Sequence, residues 1–322
     1  QPVAIAARHG QGIGRLVDAI APYLATIELL EDADRERPRL AVIGRPNVGK
    51  STLVNRLIGE ERQVTSAEPG TTRDSIFVPC ERDGQRFTLI DTAGIRRRAR
   101  VEDALEKYSV VQSMQAIAGA TVAIVLLDAK EGVTDQDLHL IGYALEQGRA
   151  LVIGINKWDG LDNAVRRRVE READRQLEFC TYAERCYVSA LHGSGISELI
   201  AAALRAYESA GTTIATPRLN EMLERATIAH PPPIVRGRQV RLRYAHQGGR
   251  YPPLIVIHGS QAERIPARYR RYLENSFRKY LKLVGTPIRV EFRSGDNPFA
   301  GRRNQLTPRQ AKRRKRIIRH SR

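Results

Sequence analysis

The chain has few of the residues that build covalent or metal-based stability. Its three cysteines, Cys80, Cys180 and Cys186, are odd in number and lack the paired spacing of a zinc ribbon or a disulfide framework. Reduced cytosolic thiols are therefore expected. No apolar run approaches the roughly 20 residues that a membrane-spanning helix needs, and no signal-peptide pattern is found near the first residues. These absences predict a soluble, cytoplasmic protein with no membrane partner.

Acidic residues are scarce in the last third of the chain. From residue 216 to 322 there are 26 lysines and arginines against 6 aspartates and glutamates, whereas the whole chain carries a net charge of +17. The first 215 residues are therefore close to neutral, at −3. Such asymmetry indicates a polyanionic partner, either nucleic acid or an anionic membrane surface. The 322 residues, 42% of them hydrophobic, suit about two folded domains rather than a disordered chain.

One stretch has the pattern of a phosphate-binding loop. An apolar strand, Leu40–Ile43, leads into G-x-x-x-x-G-K-S and then into a helical pattern, Thr52–Leu57. The glycines let backbone N–H groups point at phosphate oxygens, and the following helix presents the positive end of its dipole. Lys50 should reach the β- and γ-phosphates, and Ser51 should ligate Mg²⁺. The expected contacts are Gly44, Arg45, Pro46, Asn47, Val48, Gly49, Lys50, Ser51 and Thr52.

Three further motifs follow, each at the end of an apolar strand: FTLIDTAG, LVIGINKWD and CYVSAL. Asp91 can hold Mg²⁺, and Gly94 can sense the γ-phosphate through its N–H. The Asp159 carboxylate can accept two hydrogen bonds from guanine, which adenine cannot donate. Backbone N–H groups at Ser189 and Ala190 could meet guanine O6. The motifs predict a GTPase site that includes Asp91, Thr92, Ala93, Gly94, Asn156, Lys157, Asp159, Ser189 and Ala190.

Short buried strands alternate with helical segments along this region. That alternation predicts an α/β fold with a mostly parallel sheet, helices on both faces and ligand at the carboxyl ends of the strands. The expected strands are Leu40–Ile43, Phe87–Ile90, Val122–Leu127, Leu151–Ile155 and Tyr187–Val188.

Two loops raise questions about the chemistry. EPGTTRD, residues 68–74, offers two threonines, one of which should close over Mg²⁺ when the γ-phosphate is present; an ordinary polar turn is the alternative. After DTAG, many small GTPases carry a glutamine that orients water, but this chain has Ile95. We hypothesise that the Asn47 carbonyl helps hold K⁺, which then stabilises the transition state. The alternative is that Asn47 only stabilises the loop turn.

These motifs together resemble the Era-like branch of translation-factor-related GTPases. The matching segments are GRPNVGKSTLVN, PGTTRD, DTAGI, NKWDG and SALHGSGI. Within that branch the chain is similar over nearly its whole length to bacterial members with two consecutive G domains and a C-terminal KH-like domain. The resemblance favours Thr72 over Thr71 as the Mg²⁺ ligand beside Ser51 and Asp91. It also implies catalytic roles for Lys50, Thr72 and Asn47.

The resemblance explains an internal repeat. Residues 7–20, ARHGQGIGRLVDAI, match ALHGSGISELIAAAL, residues 190–204, at six positions that include His9/His192 and Gly12/Gly195. The earlier copy is then the last piece of a preceding G domain. The expected organisation is a remnant of a first G domain (1–27), an acidic linker (28–37), a second G domain (38–210), a small α+β KH-like domain (216–300) and a basic tail (301–322).

The basic region beyond residue 216 has its own pattern of elements. We expect helices at 218–228 and 266–283, strands at 239–244, 254–258 and 288–292, and a turn at Gly248-Gly249. No G-x-x-G motif is present to clamp a nucleic-acid backbone in the KH manner. The region could instead dock against the G domains or bind rRNA through charge. The tail RQAKRRKRIIRHSR favours RNA over a membrane surface, because it has no broad apolar face.

The resemblance implies a GTP-hydrolysing switch that binds the large (50S) ribosomal subunit and its rRNA during assembly. A tRNA-modification GTPase would share GRPN, TTRD and DTAG but should carry further helical and catalytic segments that are absent from this sequence. A non-catalytic RNA-binding module that uses GTP only structurally is the other alternative.

Overall fold

The computed structural model describes residues 37–60, 75–92, 106–235 and 238–294. Several expectations lie outside the described residues: the first-G-domain remnant, all but the last residue of the acidic linker, Thr71, Thr72, Ala93, Gly94, Ile95 and the basic tail. The side chains of Asp91 and Thr92 also lie outside the described part. None of the described helices is long and apolar enough to cross a membrane.

The larger sheet has six strands in the order β2-β3-β1-β4-β5-β6. All neighbours are parallel except β2 and β3. Every residue of β4 and β5 is buried, as expected for central parallel strands covered on both faces. The predicted α/β fold is therefore confirmed. The strands are β1 (Arg39–Ile43), β2 (Ser75–Arg82), β3 (Gln85–Thr92), β4 (Val122–Asp128), β5 (Ala150–Asn156) and β6 (Glu184–Tyr187).

Helices cover both faces of this sheet. Leu53 and Leu199 belong to the core on one side, whereas Ile117, Ile141 and Val169 belong to the core on the other. We call the described residues from 37 to 210 the large unit. Its helices are α1 (Lys50–Glu60), α2 (Glu106–Gly119), α3 (Asp135–Glu146), α4 (Asn163–Gln176) and α5 (Ile196–Ala210), with a 3-10 turn at Glu178–Cys180.

The edge strand β2 was not predicted from the sequence. It pairs antiparallel with β3 through a tight turn at Asp83 and Gly84, whose φ values are 50° and 76°. Two successive positive φ values are what a two-residue hairpin of this kind requires, and Asp-Gly is a preferred pair for it. The dipeptide was therefore the signal that could have revealed this strand.

The C-terminal unit, residues 216–294 of the described chain, has a three-stranded sheet in the order β11-β10-β9. Strand β10 is antiparallel to β9 and parallel to β11, and two helices cover one face, which confirms the predicted small α+β fold. Its elements are α6 (Thr216–Ala229), β7 (Ile234–Val235), β8 (Arg238–Gln239), β9 (Arg241–Gly249), β10 (Leu254–Ser260), a 3-10 turn (Ala262–Arg264), α7 (Ala267–Leu281) and β11 (Arg289–Ser294).

The turn expected at Gly248-Gly249 is formed by the residues that follow these two glycines. Gly249 still pairs with Leu254 in the β9–β10 ladder, and the chain reverses at residues 250–253. Pro252 and Pro253 lack the N–H that a ladder position needs, so they end the pairing more effectively than the glycines do. Strand β6 also ends at Tyr187, so Val188 is outside the strand that was expected to include it.

The two units meet at the end of the large sheet where β5 begins. Gly285 donates from its N–H to the Tyr182 carbonyl at 2.7 Å and accepts from the Leu151 N–H at 2.6 Å. Tyr251 stacks on Tyr207 with ring centroids 4.9 Å apart. Because Leu151 is the second residue of β5 and Asn156 the last, the docking contacts lie at the opposite ends of the strands from the predicted nucleotide site.

Candidate nucleotide site

The phosphate-binding loop depends on two glycines that no other residue could replace. Strand β1 ends at Ile43, and α1 begins at Lys50. Gly44 has φ +148°, and an added Cβ would lie 2.4 Å from the Leu126 carbonyl oxygen. Gly49 has φ +99°, and its Cβ would lie 2.2 Å from Nδ2 of Asn156. Glycine therefore satisfies both the backbone conformation and the close approach of neighbouring atoms.

Lys50 lies at the start of α1 and turns back onto the loop. Its Nζ donates to the Arg45 carbonyl at 2.5 Å. Burial lowers the pKa of Lys50 from 10.5 to about 8, against the opposing attraction of Asp137. A cation held in such a partly desolvated position interacts strongly with phosphate. This geometry suits the predicted contact with the β- and γ-phosphates.

The Arg45 side chain is held by two acids. Its Nε donates to both carboxylate oxygens of Asp137, at 3.1 and 3.0 Å, and its Nη1 donates to Glu131 at 2.7 Å. Asp137 is fully buried and also accepts from the N–H and hydroxyl of Thr134, which caps α3. Asp137 was not predicted from the sequence, although Thr134-x-x-Asp137 has the spacing of a helix-capping pair.

Asn156 joins three of the sequence motifs. Its Nδ2 donates to the Val48 carbonyl at 2.7 Å, and its Oδ1 accepts from the Ala190 N–H at 2.9 Å. The side chain is only 3% exposed. The amide therefore connects the phosphate loop to the loop after β6. It fixes the distance between the triphosphate end and the base end of the site.

The two backbone donors expected to meet guanine O6 already have partners. The Ala190 N–H is bonded to Asn156, and the Ser189 N–H donates to the Ser194 carbonyl at 2.9 Å. The contact with O6 stays a prediction, and it requires one of these bonds to be shared or exchanged.

The base end of the site contains two carboxylates with different roles. Asp128 is 2% exposed and pairs with Nζ of Lys157 at 2.5 Å, which orients the lysine side chain. Asp159 is more open, and Nε2 of His192 lies 3.1 Å from it. The hydrogen bond from Ser189, followed by weaker effects that include the charge of His192, lowers the pKa of Asp159 below its ordinary value. A lowered pKa keeps Asp159 available as a hydrogen-bond acceptor, and its pairing with two guanine donors stays a prediction.

Asp128 was another residue that the sequence analysis missed. It is the last residue of β4, and Asn156 is its partner in the neighbouring strand. The rule that ligand-contacting residues lie at the carboxyl ends of parallel strands could have found it.

Of the residues expected to hold cations, the structure describes Ser51, Asn47 and the backbone of Asp91. Ser51 is exposed in the first turn of α1. The strand that carries Asp91 pairs with β1, with Ala41 opposite Ile90, so that Asp91 lies beside the start of the phosphate loop. A hydroxyl and a carboxylate are oxygen ligands of the kind that Mg²⁺ binds, so these residue types fit the ion. Asn47 is exposed with φ 61°, so its side chain and carbonyl are accessible within the loop.

Comparison with known proteins covers both units. A family model described as "50S ribosome-binding GTPase" matches residues 39–157, and one described as "KH-domain-like of EngA bacterial GTPase enzymes, C-terminal" matches residues 213–293. GTPase Der of Thioalkalivibrio sulfidiphilus is 56% identical over 322 residues, which cover 99% of this chain and 69% of that protein. The chain belongs to the GTPase Der family. GTPase Der of Hahella chejuensis is 53% identical, covering 98% of this chain and 67% of that protein.

Membership in the GTPase Der family confirms the predicted GTP-binding unit and KH-like domain. The Der relatives are longer than this chain, which spans about two thirds of each. A solved structure of Era in complex with MgGDPNP and nucleotides 1506–1542 of 16S ribosomal RNA is 23% identical and covers 80% of this chain and 92% of that chain. Its TM-score is 0.41, which is too low to add to the Der assignment.

Proposed function

We propose that this chain is a cytoplasmic GTP-hydrolysing switch that acts on the large ribosomal subunit during its assembly. The observation that carries the proposal is the Asn156 side chain, which bonds to Val48 in the phosphate loop and to Ala190 beside the base site. Through this link, the phosphate-binding loop and the Asp159 carboxylate are held at a separation that suits one guanine nucleotide. The proposed division is the one expected from the sequence: 1–27, 28–37, 38–210, 216–300 and 301–322.

Each residue of the site has a distinct part in the reaction. Backbone N–H groups between Gly44 and Lys50 bind the phosphates, and the Lys50 ammonium neutralises charge that develops on the β- and γ-phosphates. Asp159 orients the guanine by accepting from its N1–H and exocyclic amine. Lys157, fixed by Asp128, borders the base.

A bound Mg²⁺ would supply positive charge to the transferring phosphoryl group. We propose that Ser51, Asp91 and Thr72 hold it. The proposal is supported by Ser51, which is exposed in the first turn of α1.

We propose K⁺ stimulation because the chain has Ile95 where other GTPases place a water-orienting glutamine. The side-chain carbonyl oxygen of Asn47 is the proposed ligand. GTP turnover should be faster in K⁺ than in Na⁺ buffer at equal ionic strength, and an Asn47→Ala variant should lose that difference. Equal wild-type rates in the two salts would remove the idea.

The base specificity can be tested independently of hydrolysis. Replacing Asp159 by asparagine turns one acceptor into a donor, so the site should bind xanthosine triphosphate in preference to GTP. Lys50→Ala should abolish binding of both nucleotides, whereas Lys279→Ala, an exposed lysine on α7, should bind GTP normally. Steady-state hydrolysis by the wild type separates this switch from an RNA-binding module that uses GTP only structurally.

The ribosomal part of the proposal is supported by the family description and by the basic charge beyond residue 216. Co-sedimentation with isolated large ribosomal subunits should be stronger with a non-hydrolysable GTP analogue than with GDP. Lys50→Ala should bind the subunit equally under the two conditions. Association that ignores the nucleotide in the wild type would contradict the switch.

A further inference from the structure

The sheet of the C-terminal unit has two unlike faces. Ala245, Ile255 and Ile257 belong to the apolar core with α6 and α7. Because side chains alternate along a strand, their neighbours in sequence point to the other face. The strand register brings Tyr244 opposite His258 and His258 opposite Arg293. A register shift between His258 and Gly259 brings Arg241 opposite Ser260, two residues beyond His258, so Arg241 lies on this side as well. We call this second side, with Arg241, Tyr244, His246, His258 and Arg293, the ring face.

Three aromatic rings form a stack on the ring face. The ring centroids of Tyr244 and His258 lie 4.4 Å apart with planes 3° from parallel. His246 stacks on His258 at 5.2 Å. Tyr244 lies on β9, an edge strand of this sheet, and is 47% exposed. The stack can therefore be continued outward from Tyr244 by another planar ring.

Within the described part of the chain, the two imidazoles of the stack each lack a hydrogen-bond partner at one nitrogen. Nδ1 of His246 and Nε2 of His258 are buried and have no hydrogen-bond partner among the described residues. Burial, with the charges of His246 and Arg293, lowers the pKa of His258 below its ordinary value. A neutral imidazole stacks as an uncharged aromatic ring.

Positive charge borders the rings. Arg241 is exposed beside the stack, and Arg293 is 59% exposed in its side chain. Glu291 is the acid on the same side and pairs with Arg293 at 3.2 Å. Rings for stacking combined with arginines for phosphate are the requirements of a surface for single-stranded nucleic acid.

We propose that the ring face binds single-stranded RNA, with a base stacked on Tyr244 and the backbone phosphates paired with Arg241 and Arg293. The proposal takes its RNA partner from the proposed function and adds the binding surface. It also gives the C-terminal unit an RNA site that needs no G-x-x-G loop. Stacking accepts any base, so the surface should have little sequence preference.

The test uses the full chain and a fluorescein-labelled single-stranded RNA of mixed sequence, just long enough to cover the ring face. Fluorescence anisotropy measures the binding affinity. Tyr244→Ala should weaken binding about tenfold, since this is within the range for loss of one base–aromatic stack. Tyr244→Phe keeps the ring and should bind like the wild type. Phe179→Ala removes an aromatic of similar exposure, 52%, from the large unit and should also bind like the wild type.

The basic tail also binds RNA by charge, so salt must separate the two contributions. Between about 50 and 200 mM salt the electrostatic part of binding falls steeply, whereas stacking persists. The tenfold effect of Tyr244→Ala should therefore remain at the higher salt. An Arg241→Gln/Arg293→Gln double variant, which leaves the rings intact, should reduce the salt dependence of binding.

Three results would overturn the proposal: unchanged RNA affinity in Tyr244→Ala at both salt concentrations, equal loss in Phe179→Ala, or loss of subunit binding in Tyr244→Ala with the RNA affinity unchanged. The last result would assign the ring face to a protein partner. None of these results affects GTP hydrolysis or nucleotide-dependent co-sedimentation of the wild type, which test the proposed function. If Tyr244→Ala fails to fold, the Arg241→Gln/Arg293→Gln variant decides, since an unchanged salt dependence contradicts the surface.

Discussion

At the scale of single residues, burial decides which charges in the site matter most. Asp128 and Asp137 are almost completely buried, and each is paired with a cation, Lys157 or Arg45. Glu131 shares Arg45 but is 57% exposed in its side chain. Replacing a buried carboxylate breaks an ion pair in a region of low dielectric, whereas water can take the place of an exposed carboxylate.

The Arg45 pair provides a direct comparison. Asp137→Asn should lower the free energy of unfolding by about 3 kcal/mol, because it breaks a buried ion pair. It should also reduce GTP hydrolysis, since Arg45 connects the phosphate loop to α3. Glu131→Gln is the matched control and should cost less than about 1 kcal/mol. Urea unfolding measures both values, and equal costs would contradict the importance of burial here.

The low pKa of Lys50 predicts a pH effect on nucleotide binding. In the free protein the ammonium loses its proton as the pH rises through about 8, but phosphates restore the charge on binding. GTP affinity should therefore fall from about pH 7 to about 9, approaching tenfold per pH unit above the pKa, with proton uptake visible by calorimetry in two buffers. Lys50→Met should show weak binding with no such step.

The same group has the opposite effect on stability. Its pKa in the folded protein is below the ordinary value of 10.5, so the folded state loses the proton first. Between about 8 and 10.5 the unfolded chain binds more protons, and this contribution to stability rises with pH. The difference in free energy of unfolding between the wild type and Lys50→Met isolates this contribution. A contribution that falls between about pH 8 and 10.5 would contradict the lowered pKa of Lys50.

At the scale of elements, the phosphate loop shows how neighbouring strands restrict one another. Gly49 is close to the Asn156 amide, which is itself held by two hydrogen bonds. Gly49→Ala should therefore abolish GTP binding and destabilise the fold by more than about 2 kcal/mol, because strain and a broken amide bond add. Nucleotide binding and urea unfolding measure the two effects.

Gly142 is the control for that substitution. It lies inside α3, and an added Cβ would meet nothing within 4 Å. Gly142→Ala should stabilise the protein by roughly 0.5–1 kcal/mol, because alanine loses less backbone freedom in a helix. GTP binding should be unchanged. A loss of binding in both variants would mean that the effect is not specific to the loop.

The strands and the phosphate-binding loop show how much of the structure could be predicted from the sequence. The buried strands and the G-x-x-x-x-G-K-S loop were predictable because their patterns are local. Strand β2 was missed because its side chains alternate weakly, and the Asp83-Gly84 turn was the better signal. Asp137 and Asp128 were missed because their importance comes from partners 92 and 29 positions away. Those contacts exist only after the sheet has formed.

At the scale of the whole molecule, Gly285 decides how the two units fit together. It has φ +65°, and an added Cβ would lie 2.4 Å from Cβ of Ala206. Gly285→Ala should loosen the docking and separate one unfolding transition into two, as measured by calorimetry. GTP hydrolysis should change little, because the contact lies at the amino-terminal end of β5.

Gly84→Ala is the control, since Gly84 has φ +76° with open space around its Cβ position. It should cost only about 1–2 kcal/mol of backbone strain and keep the transition undivided. A divided transition in both variants would show that left-handed strain, rather than the fit against Ala206, causes the separation.

The docking of Gly285 onto Leu151 and Tyr182 determines how far apart the two proposed sites lie. The proposed nucleotide site and the Gly285 contact that holds the C-terminal unit lie at opposite ends of the same seven-residue strand. A strand hydrogen-bonded on both sides behaves as a stiff rod of about 20 Å. With both proposed sites occupied, the strand would therefore hold the nucleotide and the bound RNA at a set separation.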